Sequence, residues 1–156
     1  MEHNVNHAKI SMDAKSVNES FARMVAMGFM TQMNPTLDEL EDVKTAVSEA
    51  VTNAIIHGYG VNDTYREDGI ECKQVEMTCE REGKRLTIIV EDFGVGIENV
   101  AEAKQPFFTT KPDMERSGMG FVFMETFMDE VEVISKLGEG TRVIMTKYIS
   151  SEGNEQ

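Results

Sequence analysis

Apolar positions change their period several times along the chain, and each change marks an element. Val5, Ala8, Ile10 and Met12 give a loose pattern that suits an opening strand. The segment "SVNESFARMVAMGFMTQM" then recurs at helical spacing, with Val17, Phe21, Met24 and Gly28 fitting its stripe. Pro35 breaks that pattern. Thr36 follows as an N-cap, and Glu39 three residues later completes a capping box at the head of a second helix. Leu40, Val43, Val47, Ala50, Val51 and Ala54 mark the buried stripe of this helix, and Gly58 and Gly60 end it.

A polar stretch, "GVNDTYREDGIE", reads as a loop. Two alternating segments follow, Val75-Met77-Cys79 and Leu86-Ile88-Val90, joined by "REGK" as a hairpin that Asp92 closes. Residues 94–117 hold two prolines and little periodicity, and read as a long, mobile loop. "GMGFVFMETFMDE" is a glycine-started helix, and "VEVISKLGEGTRVIMTKYI" is a final hairpin turning at Gly138 to Gly140. The order predicts an α/β two-layer sandwich, a mixed and mostly antiparallel sheet with helices on one face, built as a single domain over 1–149 with a frayed tail over 150–156.

Composition narrows what such a domain does. With 40% apolar and 28% charged residues in 156, the chain can bury one sizeable core. A net charge of -13 argues against direct contact with nucleic acid, which relies on Lys and Arg neutralising phosphates, and points to protein partners. No apolar run spans a bilayer and "MEHNVNHAKI" lacks the order of a secretory signal, so a cytoplasmic protein without a membrane segment is expected. Cys72 and Cys79 have no second Cys or His pair at zinc spacing, and reduced structural thiols are expected.

The chemistry centres on "EDFGVGI", residues 91–97. Its Asp-Phe-Gly belongs to no eukaryotic-type protein kinase here, because the glycine-rich loop, Val-Ala-Ile-Lys strand, His-Arg-Asp loop and Ala-Pro-Glu segment are all missing. A Rossmann fingerprint fails at Asn99 and again at Phe123, where third glycines would stand, and Gly83-Lys84 is no Walker A loop. Glu49 and Asn53, at i and i+4, are neighbours on one helix face, with Asn53 flanking the apolar stripe and Glu49 further round, so that both border the space beside the helix, a spacing that a plain solvated face also satisfies. His57 reads as a helix-end histidine rather than a ligand.

What remains is a combination: an Asn on a helix, Asp-x-Gly-x-Gly after a strand, a long lid, then "SGMG" opening a helix. In this order the pieces resemble the nucleotide site of the superfamily shared by DNA gyrase, heat-shock chaperones, histidine kinases and mismatch-repair ATPases, known as GHKL, whose fold is of the Bergerat ATP-binding type. Within it, "SEAVTNAIIHGY", "DFGVGI", "QPFFTTKP" and "ERSGMGFVFMETFMDEV" are most similar to the small serine kinases that act as anti-sigma factors. The likeness covers roughly residues 8 to 148 and is loosest in "TYREDGIECKQ".

The resemblance implies ATP or ADP with Mg2+ as cofactors, Asn53 as the metal ligand and Glu49 as general base toward a serine hydroxyl. It implies that Asp92 accepts from the adenine amino group, that Gly94 and Gly96 let backbone approach the base, and that Thr141 helps to hold it. Thr109, Thr110, Lys111, Arg116, Gly118 and Gly120 become nucleotide contacts of the lid and the second glycine box, with Lys104 beside them. Arg23 matches a partner-binding arginine. The implied activity is an ATP-dependent serine protein kinase that binds and inhibits a sporulation sigma factor of RNA polymerase, phosphorylates its anti-anti-sigma antagonist, and works as a homodimer. The alternative is a nucleotide-sensing module that sequesters its partner without kinase activity.

Overall fold

The computed structural model describes residues 4–59, 73–105 and 120–150. Five strands, β1 (Val5–Asp13), β2 (Gln74–Glu82), β3 (Arg85–Asp92), β4 (Glu130–Lys136) and β5 (Gly140–Tyr148), form one sheet in the order β1-β2-β3-β5-β4. Every pairing is antiparallel, the limiting case of the mostly antiparallel sheet expected. The β2–β3 and β4–β5 hairpins turn at Gly83 and Gly138, both with positive φ, where the sequence placed them.

Alternation fixes which face of the sheet is covered. Val75, Met77 and Cys79 on β2, Leu86, Ile88 and Val90 on β3, and Val143 and Met145 on β5 are all buried in one core with the helices. The helices packed there are α1 (Asn18–Met30), α2 (Leu37–Asn53) and α4 (Gly120–Phe127). The buried Cys79 thiol, whose pKa burial raises to about 11, is a small apolar filler. Cys72 lies outside the described residues. No helix among the described residues is long and apolar enough to cross a membrane.

Helix α2 is the central element, and its sequence explains why. Thr36 accepts from Glu39 N–H at 3.1 Å while Glu39 Oε1 accepts from Thr36 N–H at 2.9 Å, the expected capping box. Val43, Val47, Ala50 and Val51 are buried as the stripe predicted. Lys147 on β5 reaches both the α4 carbonyl of Phe127 at 2.7 Å and Asp42 on α2 at 3.2 Å, tying strand and two helices together.

Three expectations are corrected. In α1 the stripe of Val17, Phe21 and Met24 faces solvent, at 72%, 52% and 69% exposure, and the buried face is Ala22, Ala26 and Met30. Two alanines a turn apart let α1 approach α2 closely, which larger side chains would prevent. Within the stretch expected to be loop stands a short helix, α3 (Val100–Ala103), whose cap is Asn99 accepting from Glu102 N–H at 3.0 Å. One turn is too short to register as a period. Finally, Ser150 is not frayed: its N–H donates to Glu39 Oε2 at 2.8 Å beside the buried Ile149. Residues 151–156 lie outside the described ones.

Glu39 therefore serves the head of α2 and the end of β5 at once. Glu39→Ala should lower stability by about 1–2 kcal/mol through loss of both contacts. Urea denaturation checks this, and an unchanged midpoint would show that neither contact matters in solution.

Candidate functional site

The site starts where α2 stops being regular. After Asn53 the chain makes one π-helical turn, Ala54–Gly58, in which Ala54 N–H is shared between the Ala50 and Val51 carbonyls. The Gly58 carbonyl, at the end of that turn where a helix leaves its last carbonyls without intrahelical partners, accepts from Val95 N–H at 2.8 Å. Gly58 was expected to end the helix. It does more, because a Cβ there would lie 2.6 Å from the carboxyl carbon of Asp92, and one on Gly94 would overlap the Gly58 carbonyl oxygen. Both glycines are required by contact rather than by conformation.

Asp92, the last residue of β3, is only 4% exposed. Its Oδ1 accepts from Gly94 N–H at 2.9 Å, and the backbone of Thr141, its partner across β3–β5, is also hydrogen-bonded to it. Burial raises its pKa to about 6; the Gly94 and Thr141 N–H groups oppose this and the charge of Glu91 adds to it. Gly140 and Gly96 close the surroundings, since a Cβ on either would overlap the backbone of Asp92 or Lys136 respectively.

A residue that sequence reasoning missed links these pieces. Ser135 on β4 accepts from Ile97 N–H at 2.7 Å and lies 3.0 Å from the Gly140 carbonyl and 2.8 Å from Thr141 Oγ1. One hydroxyl thus joins the Asp-x-Gly-x-Gly loop to the β4–β5 turn. Nothing local distinguishes it, because it occupies an ordinary alternating position of an amphipathic strand.

The other corner lies across the π turn. Asn53, half-buried, faces the start of α4 so closely that a Cβ on Gly120 would lie 3.0 Å from Nδ2 and 3.2 Å from Oδ1. Glu49, also half-buried, stands one helical turn before it. The structure thus brings Asn53, Glu49 and Gly120 to one corner and Asp92, Gly94, Gly96 and Thr141 to the other. Thr109, Thr110, Lys111, Arg116 and Gly118 lie outside the described residues. Lys104, expected beside a phosphate, is paired with Glu125 on α4 at 2.9 Å and ties α3 to that helix.

Arg23 lies on α1, which supplies none of the residues of either corner. Its guanidinium meets Glu19 at 3.5 Å and Ser20 at 3.2 Å on α1, beside the exposed Phe21 and Met24. His57 sits half-buried within the π turn.

Chemically, one corner offers a desolvated carboxylate that accepts hydrogen bonds, walled by glycine backbone. The second offers a carboxamide against a helix N-terminus, an arrangement suited to anions and a hard cation. Because the folded chain holds the Asp92 proton more tightly than the unfolded chain does, this contribution to stability is complete below about pH 3.8 and lost as pH rises through about 6. Ionised Asp92 then costs the chain by itself on the order of 3 kcal/mol at neutral pH. Asp92→Asn should accordingly melt higher than the native chain at pH 7, with the gain vanishing below about pH 4. An equal difference at both pH values in calorimetry would refute this cost.

Comparison with known proteins agrees with this geometry. A family profile described as "Histidine kinase-like ATPase domain" matches residues 10–147. Proteins named "Anti-sigma F factor" are similar at 56% identity in Clostridium novyi (strain NT), covering 94% of this chain and 96% of the relative. One in Anoxybacillus flavithermus (strain DSM 21510 / WK1) is 52% identical over 93% and 94%, and one in Priestia megaterium 49% over 94% and 95%. Among solved structures, part of a chain that comprises the RsbU and RsbW domains of a Mycobacterium tuberculosis protein shares the fold, with a TM-score of 0.61 and 18% identity, covering 92% of this chain and 32% of that one. This chain belongs to the histidine kinase-like ATPase family and, within it, to the anti-sigma F factors.

Proposed function

We propose that this chain is an ATP-dependent anti-sigma factor: it holds a sporulation sigma factor inactive and, as a serine protein kinase, phosphorylates the anti-anti-sigma protein that releases it. The observation that carries the reading is the meeting of Asn53 with Gly120 at the start of α4, one π turn away from the buried Asp92. In this reading the base lies at the carboxylate and the phosphates at the helix N-terminus of a single nucleotide site.

In this reading Asp92 accepts from the adenine amino group, with Gly94, Gly96 and Thr141 around the base. Thr109, Thr110, Lys111, Arg116 and Gly118 complete the phosphate end with Gly120. The missing Cβ at Gly120 leaves space against the Asn53 carboxamide, whose oxygen is a hard ligand of the kind Mg2+ takes beside phosphate oxygens and water. When bound, Mg2+ neutralises charge on the transferring oxygens. Glu49, a turn from Asn53, accepts the proton of the substrate serine as its oxygen attacks the γ-phosphate. Arg23 and the exposed Val17, Phe21 and Met24 form the surface for protein partners, a second copy of the chain among them.

The test combines MgATP, the anti-anti-sigma protein and mass spectrometry. The native chain should add one phosphate to a serine, and Glu49→Gln should slow this by about a hundredfold or more while nucleotide affinity stays within a few-fold. Phosphorylation that survives Glu49→Gln would remove the base role. A native chain that binds ATP and the sigma factor but transfers nothing would reduce the function to nucleotide-sensing sequestration.

A further inference from the structure

Tyr59, the residue after the π turn, makes contacts that neither the fold nor the phosphate chemistry requires. Its phenol donates to the Gln74 carbonyl at 2.5 Å and accepts from Phe93 N–H at 2.9 Å. Lys73 Nζ lies 5.5 Å from the ring centroid, a cation on the aromatic face. Gln74 is itself fixed: it pairs with Asp13 in the β1–β2 ladder, and its side chain bonds both Asp13 and Ser11. The hydroxyl therefore connects an anchored strand end to the backbone directly after Asp92. Burial raises the phenol pKa, the Phe93 N–H opposes this, and the charges of Asp92 and Glu76 add to it, so the proton donated to Gln74 is retained.

The position of Phe93 N–H gives the contact its meaning. That N–H belongs to the same peptide unit as the Asp92 carbonyl, and a peptide unit moves as a plane. On its carbonyl side the plane is met by Gly140, where a Cβ would overlap the Asp92 oxygen. On its N–H side it is held by the Tyr59 hydroxyl. With the Tyr59 hydroxyl bonded on one side and the Gly140 backbone packed close on the other, rotation of the plane is restricted, and with it the backbone that carries Asp92. Phe93 is 55% exposed, so its own side chain does not lock this segment.

We propose that Tyr59 is a positioning residue that fixes the Asp92–Phe93 peptide plane and thereby sets the selectivity of the site for adenine over guanine, a role that rests on the nucleotide reading above. A 6-amino purine donates to the Asp92 carboxylate. A 6-oxo purine presents an acceptor there, and two facing acceptors with no proton between them are rejected strongly only while the carboxylate cannot turn aside.

The experiment measures ADP and GDP affinity by calorimetry, with Mg2+, for the native chain, Tyr59→Phe and Lys73→Met. Tyr59→Phe keeps the ring and its cation and removes the hydroxyl alone. It should weaken ADP binding by roughly three- to tenfold while GDP binding holds or tightens, so that the ADP/GDP ratio narrows. Lys73→Met should leave the ratio as it is. A folded Tyr59→Phe with the native ratio overturns the proposal. Should Tyr59→Phe fail to fold, amide exchange of the native chain decides: Phe93 N–H should be protected despite its exposed side chain, and exchange at the rate of a free peptide overturns the grip. A native chain that binds neither nucleotide overturns the nucleotide reading and the selectivity role with it, a result distinct from equal selectivity in native and variant chains.

Discussion

The backbone of Gly58 lies against the Asp92 carboxylate and Gly94 while its carbonyl binds Val95 N–H, and the rest of the site is arranged around this contact. It joins the end of α2 to the end of the central strand, with no side chain on the helix's part. The contact comes at the end of α2, where the chain closes with the π turn Ala54–Gly58 and the Gly58 carbonyl, like the last carbonyls of any helix, takes a partner from elsewhere.

That construction has an electrostatic cost. Asp92 is buried where only Gly94 and Thr141 N–H groups offset its charge, and the balance leaves it harder to ionise than an exposed carboxyl. A chain with net charge -13 gains no help from its surroundings as a whole. Such a carboxylate in a site closed by glycine backbone is held ready for a donor, and ligand binding can supply what the fold withholds. Stability and recognition are opposed at this one residue.

The first helix distributes its side chains by a related logic. Alanines at 22 and 26 bring α1 against α2, so its larger apolar residues Val17, Phe21 and Met24 are turned outward beside Arg23. The buried face carries Met30 as well as the two alanines, while Phe21 and Met24, with Val17 at the N-cap, stay exposed and leave a surface suited to a protein partner. The nucleotide corner and this surface lie on neighbouring helices, α2 and α1, joined through the same alanine contact and through Ser48 to Glu19.

Local chemistry in the sequence determined the elements themselves: the capping box of Thr36 and Glu39, the α2 stripe, both hairpins and the glycines that stop them. These depend on residues within one or two turns of each other, which a period of 3.6 or 2 records directly. The motifs around Asn53, Asp92 and Gly120 were each weak alone and were read as a site through their order and spacing, by resemblance to a known family. Only the tertiary structure decided which face α1 buries, that Gly58 is needed for contact, and that Ser135 and Tyr59 brace the site. Each of these is set by a neighbour distant along the chain: α2 for α1, Asp92 for Gly58, Thr141 and Ile97 for Ser135, Gln74 and Phe93 for Tyr59. Periodicity carries no record of such distances, because contact across the fold depends on how elements pack and not on the spacing within them.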